Sequence, residues 1–157
     1  MGSQSKIDLA YIAGFLDGDG SLMFQIKKRK DGNKSRKRFM LTICFYQDSR
    51  HERPLSWIRR VLGIGYISRR NDGISELRIN GYSQTARIMR YLLPFIKFKK
   101  IQAKIIFQSA KLLQKKFLSQ DDLRKLVNNI LKLQRENYVT KRKRTKRELL
   151  VALGLTP

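Results

Sequence analysis

The sequence predicts an α+β fold, an αββαββα core around one four-stranded antiparallel sheet, with further helices at the C-terminal end. Three observations carry this. Two stretches alternate apolar and polar residues on either side of the turn signals Asp31-Gly32-Asn33 and Asn71-Asp72-Gly73, as paired strands do. Each of these hairpins is preceded by a segment with helical punctuation. Beyond the second hairpin the pattern stays helical, with two capping pairs.

Ser5 and Asp8 have capping-box spacing and start a first helix over about Lys6 to Asp17, which Gly18, Asp19 and Gly20 break. Ser21 to Lys30 begins as an alternating strand, with Leu22, Phe24 and Ile26 on one face and Met23, Gln25 and Lys27 on the other. Arg38 to Tyr46 alternates again. Phe39, Leu41, Ile43 and Phe45 turn inward, and Arg38, Met40, Thr42, Cys44 and Tyr46 outward. Pro54 opens a second helix, Leu55 to Leu62, ended by Gly63 and Gly65. The second hairpin pairs Gly65–Arg70 with Ile74–Asn80. Ser83 is a candidate cap for a third helix that reaches Leu93 and stops at Pro94. Phe98 to Lys115 reads as a long helix. Ser119 with Asp122 and Thr145 with Glu148 start two more. Residues 5–115 are therefore expected to form the core, and 116–157 a helical extension of the same domain. No sequence repeat is visible, although the α-β-β-α-β-β order suggests two similar halves.

Composition narrows the function. The 157 residues include 35 Lys or Arg against 12 Asp or Glu, a formal net charge of +23, so an acidic partner, nucleic acid first, is expected. Hydrophobic residues make up 41% of the chain, enough for a core, which excludes a wholly disordered basic arm. The lone Cys44 excludes a disulfide scaffold and a cysteine-built zinc finger. No apolar run approaches the ~20 residues of a membrane span. The start of the chain carries no apolar signal region, so an intracellular protein with no membrane partner is expected, its compartment unknown.

The outward face of the four strands carries Met23, Gln25, Lys27, Arg29, Arg38, Met40, Thr42, Cys44, Tyr46, Ser68, Arg70, Glu76, Arg78 and Asn80. A solvated sheet face is polar by default, but it usually mixes signs. This one holds many cations and one acid, Glu76. Its donors and acceptors suit base edges and phosphates, and a two-stranded ribbon fits a major groove. Arg38, Arg70 and Arg78 are candidates for guanine and Gln25 for adenine. The block from Thr140 to Arg147 has Lys or Arg at six of eight positions, Lys141, Arg142 and Lys143 among them. It reads as a linker or a phosphate-binding stretch.

The most specific segment is Ile12-Ala13-Gly14-Phe15-Leu16-Asp17-Gly18-Asp19-Gly20. Ala10, Gly14 and Gly18 fall at steps of four and form a stripe without bulk. Such a stripe permits close approach of another helix, or tight packing within the domain. Two acids at a helix C-terminus oppose the dipole. They mark either a simple acidic turn or a site for a hard divalent cation such as Mg²⁺.

This segment resembles the LAGLIDADG motif of homing endonucleases. The likeness continues through Ser21 to Ile26 and resumes at Leu41-Thr42, Gln47, Gly63-Ile64-Gly65-Tyr66, Leu93 to Lys99 and Gln102-Ala103, covering roughly residues 8 to 110. It implies a saddle-shaped DNA-binding sheet and a homodimer whose motif helices pack at a two-fold axis through Ala10, Gly14 and Gly18. It implies that Asp19, helped by the Gly18 carbonyl, binds Mg²⁺ or Mn²⁺, with Ca²⁺ binding but not supporting cleavage. Asp17 would hold the motif end together. Gln47 and Lys99 match the family's peripheral active-site positions, where they would order the attacking water and stabilise phosphate charge. At position 51, where relatives often carry Arg or Lys, this chain has His51 between Arg50 and Arg53. The implied activity is Mg²⁺-dependent double-strand cleavage of a long, partly palindromic double-stranded DNA target, leaving short 3′ overhangs, with no small-molecule substrate. One motif per chain requires two chains for two cuts. The competing expectations are an RNA-binding intron maturase and a non-catalytic nucleic-acid-binding protein.

Overall fold

A computed structural model describes residues 5–28, 37–137 and 143–157. The elements run α1 Lys6–Asp19, β1 Gly20–Lys28, β2 Lys37–Asp48, a 3₁₀ turn at Ser49–His51, α2 Arg53–Leu62, β3 Tyr66–Arg69, β4 Ile74–Asn80, α3 Tyr82–Leu92, α4 Lys100–Leu112, α5 Gln120–Glu136 and α6 Lys146–Ala152. The four strands form one antiparallel sheet in the order β1-β2-β4-β3. The expected α+β class and αββαββα order are therefore present.

Alternation decides which sheet face is covered. Leu22, Phe24, Ile26, Phe39, Leu41, Ile43, Phe45, Leu77 and Ile79 are all buried, on the face that meets the helices. Leu9, Ile12, Ala13 and Leu16 from α1, Leu55, Ile58 and Leu62 from α2, and Ile88, Met89 and Leu92 from α3 join the same cluster. Each such Leu or Ile contributes about 1.5–3 kcal/mol, which is what holds a chain of this charge compact. The same cluster takes in Leu126, Val127, Ile130 and Leu133 of α5 and Leu149 and Leu150 of α6. These last elements also close the open edge of β1: Asn137 Nδ2 donates to Leu22 O (3.2 Å) and Arg144 Nη1 to Ile26 O (3.4 Å). Both carbonyls would otherwise face outward unpaired.

Several boundaries differ from expectation. The first helix runs to Asp19, two residues past Asp17, and β1 starts at Gly20. Gly20 is required there, because a Cβ would sit 2.5 Å from Leu16 Cδ1 and 2.9 Å from Leu16 Cα. Ser83 is not the cap of α3. Gly81 is, at φ 99°, and Ser83 lies inside the helix. The long helix starts at Lys100 rather than Phe98 and ends at Leu112 rather than Lys115. The caps at Ser5, Ser119 and Thr145 form, and Ser119 with Asp122 makes the full reciprocal box. The second hairpin's first strand is shorter than expected, Tyr66–Arg69, and leaves Arg70 in the turn. The Asp31-Gly32-Asn33 turn lies outside the described residues. No helix among the described residues is long and apolar enough to cross a membrane.

Candidate active site and nucleic-acid interface

The C-terminal end of α1 brings the acids into two different environments. Asp17 is 8% exposed. Its Oδ2 accepts the backbone N–H groups of Lys97 (2.6 Å) and Phe98 (3.2 Å), and its Oδ1 that of Lys99 (2.9 Å). This carboxylate is consumed by the segment between α3 and α4. It also explains the late start of α4, since those N–H groups are drawn off by a residue some 80 positions earlier. Asp19 is exposed, and among the described residues nothing hydrogen-bonds to its carboxylate. Gly18 beside it is exposed too.

Lys99 is brought to the same place. Its Nζ donates to the carbonyls of Leu16 (3.0 Å) and Asp17 (2.5 Å) at the end of α1. Partial burial pushes its pKa below the usual lysine value, and the Asp17 and Asp19 charges oppose that shift. Lys99 is thus a cation fixed beside the free acid. Its neighbours differ: Lys97 is exposed, and Lys100 Nζ reaches back to Leu93 O. Gln47 lies two residues beyond Phe45, which pairs with Gly20, so the register carries it to the same end of the sheet as Asp19. Its Oε1 accepts the N–H of Asp48 at 2.9 Å, which leaves its amide NH₂ as the free end. His51 is exposed in the 3₁₀ turn that follows.

The small-residue stripe is uncovered. Gly14 and Gly18 are exposed, and a Cβ placed on either meets nothing within 4 Å. The domain's own interior therefore does not account for the stripe. Ile7 and Tyr11 on the same helix are 80% and 63% exposed, and Tyr11 stacks edge-on against Trp57 of α2.

The outward sheet face has a rim and a floor. Gln25, Lys27, Arg38, Arg70 and Asn80 are exposed, and Met23, Met40, Tyr46, Ser68 and Arg78 are half-buried. Thr42, Cys44 and Glu76, expected on the open surface, are instead buried. Thr42 donates to Asn80 Oδ1 (2.7 Å), and Cys44 Sγ and Ser68 Oγ donate to the two oxygens of Glu76 (3.7 and 3.4 Å). Arg78 closes this network with Nε and Nη2 on Glu76 at 2.8 and 3.3 Å. Burial pushes the Cys44 thiol up to about 11, so it remains a protonated donor. Neighbouring side chains thus close over the centre of the face. Tyr66 belongs on this face and was not anticipated. It lies opposite Arg78, is 49% exposed and accepts from Asn80 Nδ2 through its hydroxyl at 3.4 Å. Its position two residues before Ser68 was the available signal. Arg70 is ion-paired with Asp72 at 2.7 Å. Lys143 is exposed, while Arg29, Lys141 and Arg142 lie outside the described residues.

With this geometry in hand, comparison with known proteins is decisive as to family. The family model described as LAGLIDADG endonuclease matches residues 12–127. The DNA endonuclease I-CvuI of Chlorella vulgaris is 37% identical over 107 residues, 68% of this chain and 65% of that protein. The DNA endonuclease I-CreI of Chlamydomonas reinhardtii is 30% identical over 104 residues, 66% of this chain and 63% of that protein. The sequence match thus spans just under two thirds of either relative. The crystal structure of the homing endonuclease I-CvuI in complex with its target in the presence of Ca superimposes with a TM-score of 0.83 at 28% identity, covering 97% of this chain and 98% of that one. The chain belongs to the LAGLIDADG endonuclease family.

Proposed function

We propose that this chain is a homing endonuclease that works as a homodimer and makes a divalent-metal-dependent double-strand cut in a long, partly palindromic DNA target, leaving short 3′ overhangs. The observation that carries the reading is the division of labour at the end of α1. Asp17 is fully engaged by three backbone N–H groups, whereas Asp19 is exposed and without a hydrogen-bond partner among the described residues, beside the half-buried cation Lys99.

A divalent cation suits this donor set. An exposed carboxylate and the carbonyl of Gly18 at a helix C-terminus are hard oxygen ligands. Among the described residues no cluster of three or more acidic, His or Cys side chains exists within one chain. One chain's Asp19 and Gly18 would be a partial ligand set, which a second copy of the chain and the bound DNA would complete. Mg²⁺ or Mn²⁺ at this site supplies charge to shield the phosphate and lowers the pKa of bound water. The chain's own residues do the rest. Asp19 and Gly18 hold the cation, Lys99 stabilises charge developing on the phosphate, and the free amide NH₂ of Gln47 orients the attacking water.

Dimerisation supplies the second Asp19. The open stripe Ala10, Gly14, Gly18 suits close approach of an identical helix about a two-fold axis. The pair carries +46, twice the chain's +23. Each outward sheet face lies in a major groove, with Gln25, Lys27, Arg38 and Asn80 at its rim, and the exposed Lys143 reaches a phosphate. Selection of cleaved sequences from a randomised plasmid library, with product ends mapped, tests the proposal. Paired nicks on both strands of one recurrent target in Mg²⁺, with none in Ca²⁺, are expected. Binding to RNA or DNA without cleavage in any divalent ion would overturn it in favour of a maturase or a passive binder.

A further inference from the structure

Glu76 is the acid buried in the floor of the outward face, 6% exposed, which demands a reason on a surface meant for a polyanion. It has partners on three strands: Cys44 of β2, Ser68 of β3, and Arg78 two residues along its own β4. The pairing with Arg78 is side-on. Glu76 takes Nε–H and one Nη2–H, at 2.8 and 3.3 Å. A guanidinium has five N–H donors, so the end-on edge, Nη1 with the remaining Nη2–H, has no partner among the described residues. Arg78 is the central cation of the face, flanked in register by Cys44 and Tyr66, and its side chain remains 30% exposed. Arg38 at the rim has no such support among the described residues, and Arg70 is tied to Asp72 on a turn.

We propose that Glu76 is a specificity-determining positioning residue, which locks the Arg78 guanidinium so that its end-on edge is presented to one guanine in each half-site. This rests on the endonuclease reading above. Two end-on donors match guanine O6 and N7, the pattern that only guanine offers in the major groove. The fixed partner makes that match selective, because a fork that cannot swing cannot follow a different base or slide to a phosphate. Glu76 also cancels the charge of Arg78, so Arg78 adds base reading rather than general phosphate attraction. Cys44 and Ser68, as neutral donors, hold the carboxylate in place without competing as cations.

The test is the base preference at every position of the selected target, measured by binding competition with all single-base variants for the parent, Glu76→Gln, Arg78→Lys and the double variant. Thermal melting confirms that each is folded. Expected is a tenfold or greater loss of guanine preference at one symmetric pair of positions in both single variants. The other positions should keep their order, and the double variant should be no worse than either single one. Arg78→Lys keeps the charge and loses the fork, so it keeps the experiment decisive if Glu76→Gln fails to fold. Equal weakening at every position, or an unchanged profile, overturns the role of Glu76. A parent protein with no base preference anywhere instead overturns the endonuclease reading.

Discussion

Replacing Asp17 and Asp19 in turn by Asn should produce opposite phenotypes from residues two apart. Asp17→Asn keeps one acceptor oxygen and turns the other into an NH₂ donor. Three backbone N–H groups point at this carboxylate, two at one oxygen and one at the other. Whichever way the amide turns, at least one N–H loses its acceptor in a part-buried setting. Hydrogen bonds to a charged group contribute about 1.5–3 kcal/mol each and do not add simply. Asp17→Asn should therefore cost about 2–3 kcal/mol and Asp17→Ala about 3–5 kcal/mol. Asp19 is exposed with no bond to lose, so Asp19→Asn should stay within about 0.5 kcal/mol. Urea unfolding followed by far-UV circular dichroism, at one fixed protomer concentration because a dimer's stability depends on it, gives both numbers. An Asp17→Asn protein as stable as the parent, or an Asp19→Asn protein less stable than Asp17→Asn, would refute the assignment.

Other outcomes follow from the same geometry. A Cβ on the exposed Gly14 meets nothing within 4 Å among the described residues, so the Gly14→Leu monomer should stay folded while sedimentation shows the dimer lost; a Gly14→Leu dimer would remove the stripe from the interface. Glu52 accepts from Arg69 and Ser75, which lower its pKa from the ordinary 4.5 to about 2. A depressed acid stabilises the fold above its unfolded value, and that contribution disappears as pH falls toward the folded one. The parent should therefore lose stability between about pH 5 and pH 2, with a smaller acid loss in Glu52→Gln; equal acid sensitivity would mean that this clamp of α2 to the β3–β4 hairpin is not energetic. Binding to DNA should weaken with salt at a log-log slope of about −0.9 for each phosphate neutralised; a slope near zero would leave the +23 without a use.

What was legible in the sequence was local. Period-two alternation located the strands and their faces, and the Ser119 and Thr145 caps marked helix starts that form as written. The motif helix was readable through its resemblance to the LAGLIDADG motif, since glycine at steps of four and paired acids alone left a simple acidic turn open. Distant contacts were not readable. Nothing near Phe98 announces that its N–H belongs to Asp17, so the helical pattern starts two residues ahead of α4 itself. Gly81 outcompetes Ser83 as the cap of α3 through a positive φ that residue type alone does not reveal. Alternation also assigns a side but not a depth. It sent Thr42, Cys44 and Glu76 outward correctly, and could not say that Asn80, Ser68 and Arg78 would bond to them in the sheet's floor. At the site, Lys99 is brought to the end of α1 that carries Asp19, and the register carries Gln47 to the same end of the sheet, but the holding of Lys99 by the Leu16 and Asp17 carbonyls needed the fold.

The central claim is that Asp19 is the acid that holds the metal for strand cleavage. The most direct measurement is linearisation of a supercoiled plasmid carrying the selected target, comparing the parent with Asp19→Asn in Mg²⁺ at matched DNA occupancy. The account predicts that Asp19→Asn binds the target and leaves it uncut, the rate falling by a factor of about 10³ or more, which corresponds to about 4 kcal/mol of barrier. Cleavage by Asp19→Asn at the parent's rate would contradict it.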